Sequence, residues 1–254
     1  MAAKRRSGAM AKLAKGVRHP GRAWRYVRRA MRNHRLARGA ARTDHIAFYR
    51  RVMADDVATK TARGAVGTAD EQAWLELGER QFRYLIDHGL RPDHRMLEIG
   101  CGNLRAGWWF IDYLGVGAYT GVDISSEILT AAGVTLTERN LHRKRPRLLW
   151  VDDMGFPGLP DAAFDVVHAH SVFSHSPAEV VEAAFAGVRR VIAPGGFFDF
   201  TYNESADGRY WGALREDWFY PTVMLVEMAQ RHGFTTVPMP DWMHPQAKLR
   251  LRPV

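Results

Sequence analysis

The sequence predicts an α/β fold with a doubly wound, mostly parallel sheet and a late antiparallel strand. Short apolar stretches alternate with amphipathic segments from residue 95 to about 240, which is the pattern of repeated strand–helix units. The first of these apolar stretches ends in a glycine turn, and the second ends in an acid. Sheets of this type bind ligands beyond the carboxyl ends of their strands, so we expect a site at those two positions.

The first 42 residues are strongly basic. They contain 14 Lys or Arg and no Asp or Glu, whereas the rest of the chain contains 22 basic and 27 acidic residues. The whole chain has a formal charge of +9, and the part after residue 42 has a charge of −5. Apolar residues at helical spacing, among them Trp24, Val27 and Met31, predict a basic helical arm at 1–42. Its partner is an anionic membrane surface, another polyanion or solvent alone. No recognised nucleic-acid-binding module accompanies the charge.

A helical lead-in is predicted at 43–90, ahead of a domain at 91–254. Residues 44–67 indicate a helix and a linker, and Trp74, Leu77, Phe82 and Leu85 mark an amphipathic helix that ends near Gly89. The single cysteine excludes an internal disulfide and fits a reducing cytoplasm. No apolar run approaches the roughly 18 residues of a membrane span.

The central stretch is a strand, a glycine turn and a helix. Met96–Ile99 is apolar except for Glu98, the turn Gly100-Cys101-Gly102 follows, and apolar positions then resume at helical spacing. This geometry lets a backbone approach a nucleotide closely. A second strand ends at Asp123, which is placed to accept hydrogen bonds from ribose hydroxyls or, alternatively, to cap the following helix.

The run Leu97-Glu98-Ile99-Gly100-Cys101-Gly102, followed by Gly121-Val122-Asp123, resembles motif I and the acid after it in class I S-adenosylmethionine-dependent methyltransferases. The resemblance implies a Rossmann-like domain with S-adenosylmethionine as cofactor. It also implies cofactor contacts in and after these motifs: Glu98, Gly100, Cys101, Gly102, Asp123 and Ile124. Leu104 departs from the family pattern, which has a small residue there, and Gly107 is expected to restore the close approach.

The third and fourth strands add further candidates. After Leu148–Val151, the resemblance implies that Asp152 or Asp153, with Met154, contacts the adenine. At the tip of the fourth strand, Phe164–Ser171, we expect His170 and Ser171 at the cofactor. His170 and His175 are also the candidates for a catalytic base, because histidine titrates in the useful range. His168 and His170 share a strand face, but no third ligand at suitable spacing supports a metal, so none is predicted.

The remaining chain completes the pattern. Ala193–Gly196 is interpreted as the turn before a fifth strand, Phe197–Tyr202, and Asn203–Trp218 as an aromatic-rich insertion near the acceptor. A helix from Tyr220 and a late strand at Thr235–Met239 follow, and the tail Asp241–Gln246 is expected to close over the site.

The sequence therefore predicts a methyltransferase that acts on a small-molecule, sugar or lipid-linked acceptor. We expect it in the cytoplasm, with peripheral association at a membrane, and the oligomeric state stays open. One alternative is an inactive methyltransferase-like binding or scaffold module that is tethered by the basic arm. Another is a nicotinamide-dependent oxidoreductase, but Arg105 stands where its fingerprint needs glycine and no catalytic Tyr-Lys pair is found.

Overall fold

Parallel strands at the centre of the chain form one mixed sheet with later strands at its edge. The computed structural model describes residue 31 and residues 45–60, 62–65, 70–212 and 217–254. Within these residues the strands are β1 (Met96–Ile99), β2 (Tyr119–Asp123), β3 (Arg147–Trp150), β4 (Phe164–Ala169), β5 (Ile192–Glu204), β6 (Phe219–Tyr220), β7 (Phe234–Pro238) and β8 (Ala247–Pro253). Their order is β3-β2-β1-β4-β5-β8-β7, and β6 pairs with β5.

The first five strands of the sheet are parallel, as predicted for a doubly wound fold. The late antiparallel strand is also confirmed, but it is β8, which pairs antiparallel with both β5 and β7. The predicted late strand at Thr235–Met239 corresponds to β7 at the edge. Residues 247–253 alternate between basic and apolar residues, and sequence analysis missed this strand because both of its faces are largely buried.

Helices cover both faces of the sheet. They are α1 (His45–Thr59), α2 (Ala62–Ala65), α3 (Glu71–Asp87), α4 (Gly107–Tyr113), α5 (Ser126–Glu138), α6 (Ala178–Val191) and α7 (Thr222–Arg231). Short 3₁₀ turns follow at His142–Lys144 and Phe173–His175. Asp70 caps α3 by accepting a hydrogen bond from the Ala73 amide.

Two apolar clusters lie on opposite faces of the sheet. One is rich in phenylalanine and includes Phe173, Phe185, Phe198 and Phe200, whose rings contact one another at 5.2–6.2 Å between centroids. The other packs α3, α4 and α5 against the opposite face. Because side chains alternate between the faces of a strand, β1 and β4 contribute to both clusters.

The predicted turn at Ala193–Gly196 is wrong, because β5 runs through it. The strand starts at Ile192, and its pairing with β4 shifts register between Phe164 and Val166. Gly195 has a φ of +79° in this irregular stretch, and a Cβ atom at Gly196 would lie 2.8 Å from the Asp165 carbonyl oxygen. Pro194-Gly195-Gly196 is therefore a bulge within a longer strand.

Residues His45–Val254 form one compact unit. The predicted basic arm at 1–42 lies outside the described residues, apart from Met31. Among the helices that the structure describes, none combines the length and apolarity needed to cross a membrane.

Candidate active site

The glycine turn after β1 is hydrogen-bonded to Asp123, the acid at the end of β2. One carboxylate oxygen of Asp123 accepts a hydrogen bond from the Gly102 amide at 2.9 Å, and the other accepts one from the Ser125 amide at 2.9 Å. Asp123 does not cap α5, because the N-cap is Ser125, whose hydroxyl accepts a bond from Ile128. A carboxylate has about four lone-pair positions, so each oxygen of Asp123 retains acceptor capacity.

The turn has left-handed backbone at three positions. Gly100, Gly102 and Leu104 have φ values of +65°, +58° and +65°. The two glycines adopt this conformation without steric cost, whereas Leu104 is held in it by complete burial. The departure from the family pattern at Leu104 is thus accommodated within the turn.

Glu98 is buried in β1 and accepts a hydrogen bond from the Tyr119 hydroxyl. Burial raises the pKa of Glu98 to about 8, so the carboxyl is mainly protonated at neutral pH. A Cβ atom at Gly107 would lie 2.6 Å from the Tyr119 hydroxyl and 2.9 Å from Glu98 Oε2. Gly107 therefore makes room for this buried pair, which is a different use from the close cofactor approach expected of it.

Cys101 lies inside the turn and packs against β2. Its side chain is buried, and a Cβ atom at Gly121 would come within 2.9 Å of the Cys101 sulfur. Burial raises the pKa of the Cys101 thiol well above its usual value. The protonated thiol is a poor nucleophile, so Cys101 acts here as a small packing residue.

The two acids after β3 differ in their surroundings. Asp153 accepts a hydrogen bond from the Gly155 amide at 2.7 Å, which closes a local turn. Asp152 is exposed and makes no side-chain hydrogen bond to any residue that the structure describes. Met154 is buried in the phenylalanine-rich cluster, and Ile124 packs against the same cluster from the end of β2.

Helix α1 crosses the carboxyl ends of β2 and β3. Arg50 donates from Nε to the Ile124 carbonyl at 3.1 Å and from Nη2 to the Val151 carbonyl at 3.3 Å. Its guanidinium also lies 4.5 Å from the centre of the Trp150 ring. A cleft of about 300 Å³ opens here between α1, the first turn of α5 and Trp150. Sequence analysis missed Arg50, because nothing in a lead-in helix indicates which strand ends it will reach.

His170 follows β4 at the centre of the carboxyl edge. Its side chain is buried, and neither ring nitrogen has a hydrogen-bond partner among the described residues. Burial lowers the pKa of His170 well below its usual value, so the imidazole is neutral at physiological pH. A neutral imidazole offers one donor and one acceptor.

The segment before β8, residues 241–246, contacts β5 and the residue that follows His170. Gln246 Oε1 accepts hydrogen bonds from the Ser171 hydroxyl at 2.9 Å and from the Thr201 hydroxyl at 2.8 Å. His244 lies 5.1 Å from His170 between ring centroids. The segment that sequence analysis expected over the site therefore contacts the tips of β4 and β5.

His175 occupies a different environment from His170. Its Nδ1 lies 3.1 Å from the Asp217 carboxylate, and its ring stacks on Tyr49 of α1 at 5.7 Å. Sequence analysis missed Asp217, since 42 residues separate it from His175.

His168 belongs to a row of buried polar side chains that crosses the sheet. Glu98, His168, Asp199 and Arg250 are consecutive cross-strand neighbours on β1, β4, β5 and β8. His168 Nε2 lies 3.3 Å from Gln81 Oε1 of α3. Within the described part of the chain, no group of three His, Cys, Asp or Glu residues is arranged to hold a metal ion.

The aromatic residues near the predicted acceptor pocket divide into two groups. Trp108 and Trp109 stack on each other at 4.0 Å, and Trp109 stacks on Phe82 of α3, so they pack between helices. Trp218 stacks on Tyr210 at 5.6 Å, and its amide donates to the Ser174 carbonyl beside His175. Only the second group lies near the tip of β4.

Sequence comparison identifies the domain. Residues 97–198 match the family model described as a methyltransferase domain. The sterol 24-C-methyltransferase ERG6B of Gibberella zeae is 30% identical over 120 residues, which cover 47% of this chain and 30% of that protein. The matched segments cover between 30% and 46% of the lengths of three curated relatives, so the chain spans less than half of each.

Structural comparison gives the same fold. Magnesium protoporphyrin IX methyltransferase (ChlM) from Synechocystis PCC 6803, with bound S-adenosylmethionine, superposes with a TM-score of 0.60 at 16% identity, covering 84% of this chain and 99% of that one. The [4+2]-cyclase SpnF has a TM-score of 0.55 at 19% identity, covering 69% of this chain and 82% of that one. At these identities the likeness concerns the fold alone.

Proposed function

We propose that this chain, whose residues 97–198 match the family model described as a methyltransferase domain, transfers a methyl group from S-adenosylmethionine to a small-molecule, sugar or lipid-linked acceptor. The observation that carries this proposal is the tie between Asp123 and the glycine turn. This hydrogen bond places a carboxylate that can still accept further hydrogen bonds next to the glycine turn, at the ends of β1 and β2.

The residues present at the carboxyl edge fit this cofactor. Asp123 is suited to the ribose hydroxyls, because both its oxygens are already fixed by backbone amides. Ile124 and Met154 supply apolar surface for the adenine, and the exposed Asp152 supplies an acceptor for its amino group. The unpartnered nitrogens of buried His170 are the kind of polar atoms that a bound ligand satisfies.

The chain's own contribution to the reaction is binding, orientation and proton removal. When bound, S-adenosylmethionine supplies an electrophilic methyl group. The unprotonated ring nitrogen of His170 accepts the proton of an acceptor hydroxyl. Burial lowers the pKa of His170 well below its usual value, which keeps this nitrogen unprotonated at neutral pH and makes it a weaker base than a free histidine. His175, oriented by Asp217, contacts the acceptor from the α1 side. Helix α1 and the tail residue Gln246 limit the access of water to the edge.

Three observations support the proposed class of acceptor. Tyr210 and Trp218 offer stacked aromatic surface near the tip of β4, which suits an apolar molecule or a sugar face. The basic residues 1–42 favour an anionic surface as the place of action, so we propose peripheral membrane association. The relative from Gibberella zeae is named for a sterol, which agrees with a lipid-like acceptor.

The alternative function is a binding or scaffold module without methyl transfer. The structurally similar SpnF is named as a cyclase, so this fold is not restricted to methyl transfer. A module of this kind would transfer no methyl group to any acceptor, whether or not it bound S-adenosylmethionine.

The test is methyl transfer from S-adenosylmethionine that carries a tritiated methyl group. Wild type and His170→Asn would be incubated with sterols, sugars, hydroxylated aromatics and vesicles of anionic phospholipid. We expect label in at least one acceptor class for wild type and much less for the variant. Binding of the cofactor without label in any acceptor would favour the scaffold module.

A further inference from the structure

A buried lysine lies close to the candidate site with incomplete charge compensation. The Lys248 side chain is only 1% exposed, and its Nζ lies 3.9 Å from Asp199 Oδ2. Both oxygens of Asp199 already accept hydrogen bonds from Arg250, at 2.7 and 2.9 Å. Two buried cations therefore share one buried carboxylate, and the closer cation is Arg250.

The carboxylates of Asp199 and Asp241 act on the charge of Lys248, and the other groups around it are donors and aromatic faces. Its Nζ lies 5.1 Å from the Trp242 ring and 5.2 Å from the Tyr84 ring. The buried indole nitrogen of Trp242 has no hydrogen-bond partner among the residues that the structure describes. His244 Nδ1 accepts the Gln246 amide at 3.2 Å, so in the neutral ring Nε2 carries the proton.

These groups stand next to His170. The Trp242 ring lies 5.8 Å from His170 and 5.7 Å from His244 between centroids. Lys248 is the cross-strand partner of Thr201, whose hydroxyl accepts the Ser171 amide immediately after His170. Lys248, Trp242, His244 and His170 thus form one group at the tips of β4, β5 and β8, which we name the Lys248 cluster.

We propose that the Lys248 cluster binds an anionic group, a carboxylate or a phosphate, of the methyl acceptor. A buried ammonium that shares its only close counter-ion with a nearer guanidinium is unfavourable, and so is a buried indole N–H without an acceptor. One anion would accept from Lys248 and Trp242 together and would remove both costs. The position beside His170 places the rest of such an acceptor at the tip of β4. This inference rests on the proposed function for the identity of the ligand as an acceptor.

The test uses the small number of lysines. The chain has six, so nuclear magnetic resonance of the full-length protein with ¹³Cε-labelled lysine gives few signals, and Lys248→Met identifies that of Lys248. The probes are sodium acetate and sodium phosphate, with sodium chloride at equal ionic strength as control. We expect acetate or phosphate to shift the Lys248 signal saturably, with half-saturation in the millimolar range, and chloride to leave it unchanged. The effective anion indicates whether the acceptor carries a carboxylate or a phosphate.

Two variants keep the result interpretable. Trp242→Phe retains an aromatic ring but loses the indole donor, and it should weaken the response several-fold. Trp211→Phe, a matched change at an exposed tryptophan, should not. A Lys248 signal that ignores both anions, or that follows chloride equally, would overturn the proposal. Calorimetry of the same sample with S-adenosylmethionine tests the proposed function separately. Cofactor binding without an anion response would reject only this inference. An anion response without cofactor binding would reject the methyltransferase assignment.

Discussion

Tyr119 on β2 donates a hydrogen bond to the buried carboxyl group of Glu98 on β1. The pair lies directly behind the glycine turn, in space that Gly107 and Gly121 leave open. Because burial raises the pKa of Glu98 to about 8, the side chain serves mainly as a neutral hydrogen-bonding group. The pair joins β1 to β2 next to the glycine turn.

This state of Glu98 predicts a specific dependence of stability on pH. An unfolded Glu has a pKa near 4.3, so between pH 6.5 and 8 the folded protein binds more protons at this position than the unfolded chain. The free energy of unfolding therefore falls as pH rises, by on the order of 1 kcal/mol per pH unit. Glu98→Gln resembles the protonated acid and should flatten this slope in urea unfolding measurements. Equal slopes for wild type and variant would contradict the account.

Tyr119→Phe is the companion change. It removes the donor and leaves a buried carboxyl oxygen without it, at a cost of about 1–3 kcal/mol in the free energy of unfolding at pH 7. Glu98→Gln should cost less, because its amide oxygen still accepts from Tyr119. The reverse order in the same unfolding series would show that the hydrogen bond contributes little.

The contacts of Arg50 predict that this side chain attaches α1 to the ends of β2 and β3. Arg50→Ala removes two bonds to the carbonyls of Ile124 and Val151 and the contact with Trp150. Amide hydrogens of α1 should then exchange at least about tenfold faster, the equivalent of roughly 1.4 kcal/mol. Arg51→Ala is the matched control, since Arg51 is the next residue and is exposed. Similar exchange in the two variants would show that Arg50 does not secure the helix.

The acids after β3 can be separated by mutation. Asp152→Ala should weaken S-adenosylmethionine binding by roughly ten- to a hundredfold, because a lost hydrogen bond to a charged group contributes about 1.5–3 kcal/mol. Asp153→Ala should mainly loosen its own turn at Gly155 and change the affinity less. Calorimetric titration of both variants checks this order, and a larger effect at Asp153 would assign the adenine contact to that residue instead.

The two histidines are expected to differ in their effect on turnover. His170→Ala should lower kcat by roughly 10²-fold or more, the usual range for loss of a general base, and His175→Ala by less than about tenfold. Since burial lowers the pKa of His170 well below its usual value, wild-type activity should not decline from pH 8 to 6.5 through protonation of this residue.

Asp217→Asn provides the control for this assignment. If His175 were the base, loss of the carboxylate that lies 3.1 Å from its Nδ1 would lower kcat. We expect KM to change more than kcat. A large loss of kcat in Asp217→Asn, together with an active His170→Ala, would make His175 the base.

Local sequence patterns were sufficient for the central half of the fold. The glycine turn, Asp123 and the alternation of strands and helices follow from residues that are close in sequence, and the predicted strands β1 to β4 lie within a few residues of the observed ones. β8 was not predicted because Lys248 and Arg250 point inward, so its alternating pattern does not separate a polar face from a buried one. The burial of these cations depends on Asp199, about 50 residues earlier.

The hydrogen-bond partners of the site residues could also not be predicted from the sequence. Tyr119 and Glu98 meet across two strands, Arg50 reaches carbonyls at positions 124 and 151, and Gln246 reaches Ser171. Each contact joins elements far apart in the chain, and no local period or spacing encodes it. The hydrogen bond from the Gly155 amide to Asp153, which favours the proposal of Asp152 as the adenine contact, was likewise not predictable from the sequence.

The most direct measurement is calorimetric titration of the full chain with S-adenosylmethionine and, separately, with NAD. Wild type would be compared with Asp123→Asn, which retains one oxygen acceptor for the two amides of Gly102 and Ser125 and loses the carboxylate charge. We predict micromolar binding of S-adenosylmethionine, at least tenfold weaker in the variant, and no binding of NAD. Absence of S-adenosylmethionine binding in the folded wild-type protein would contradict the assignment of this edge as a methyltransferase site.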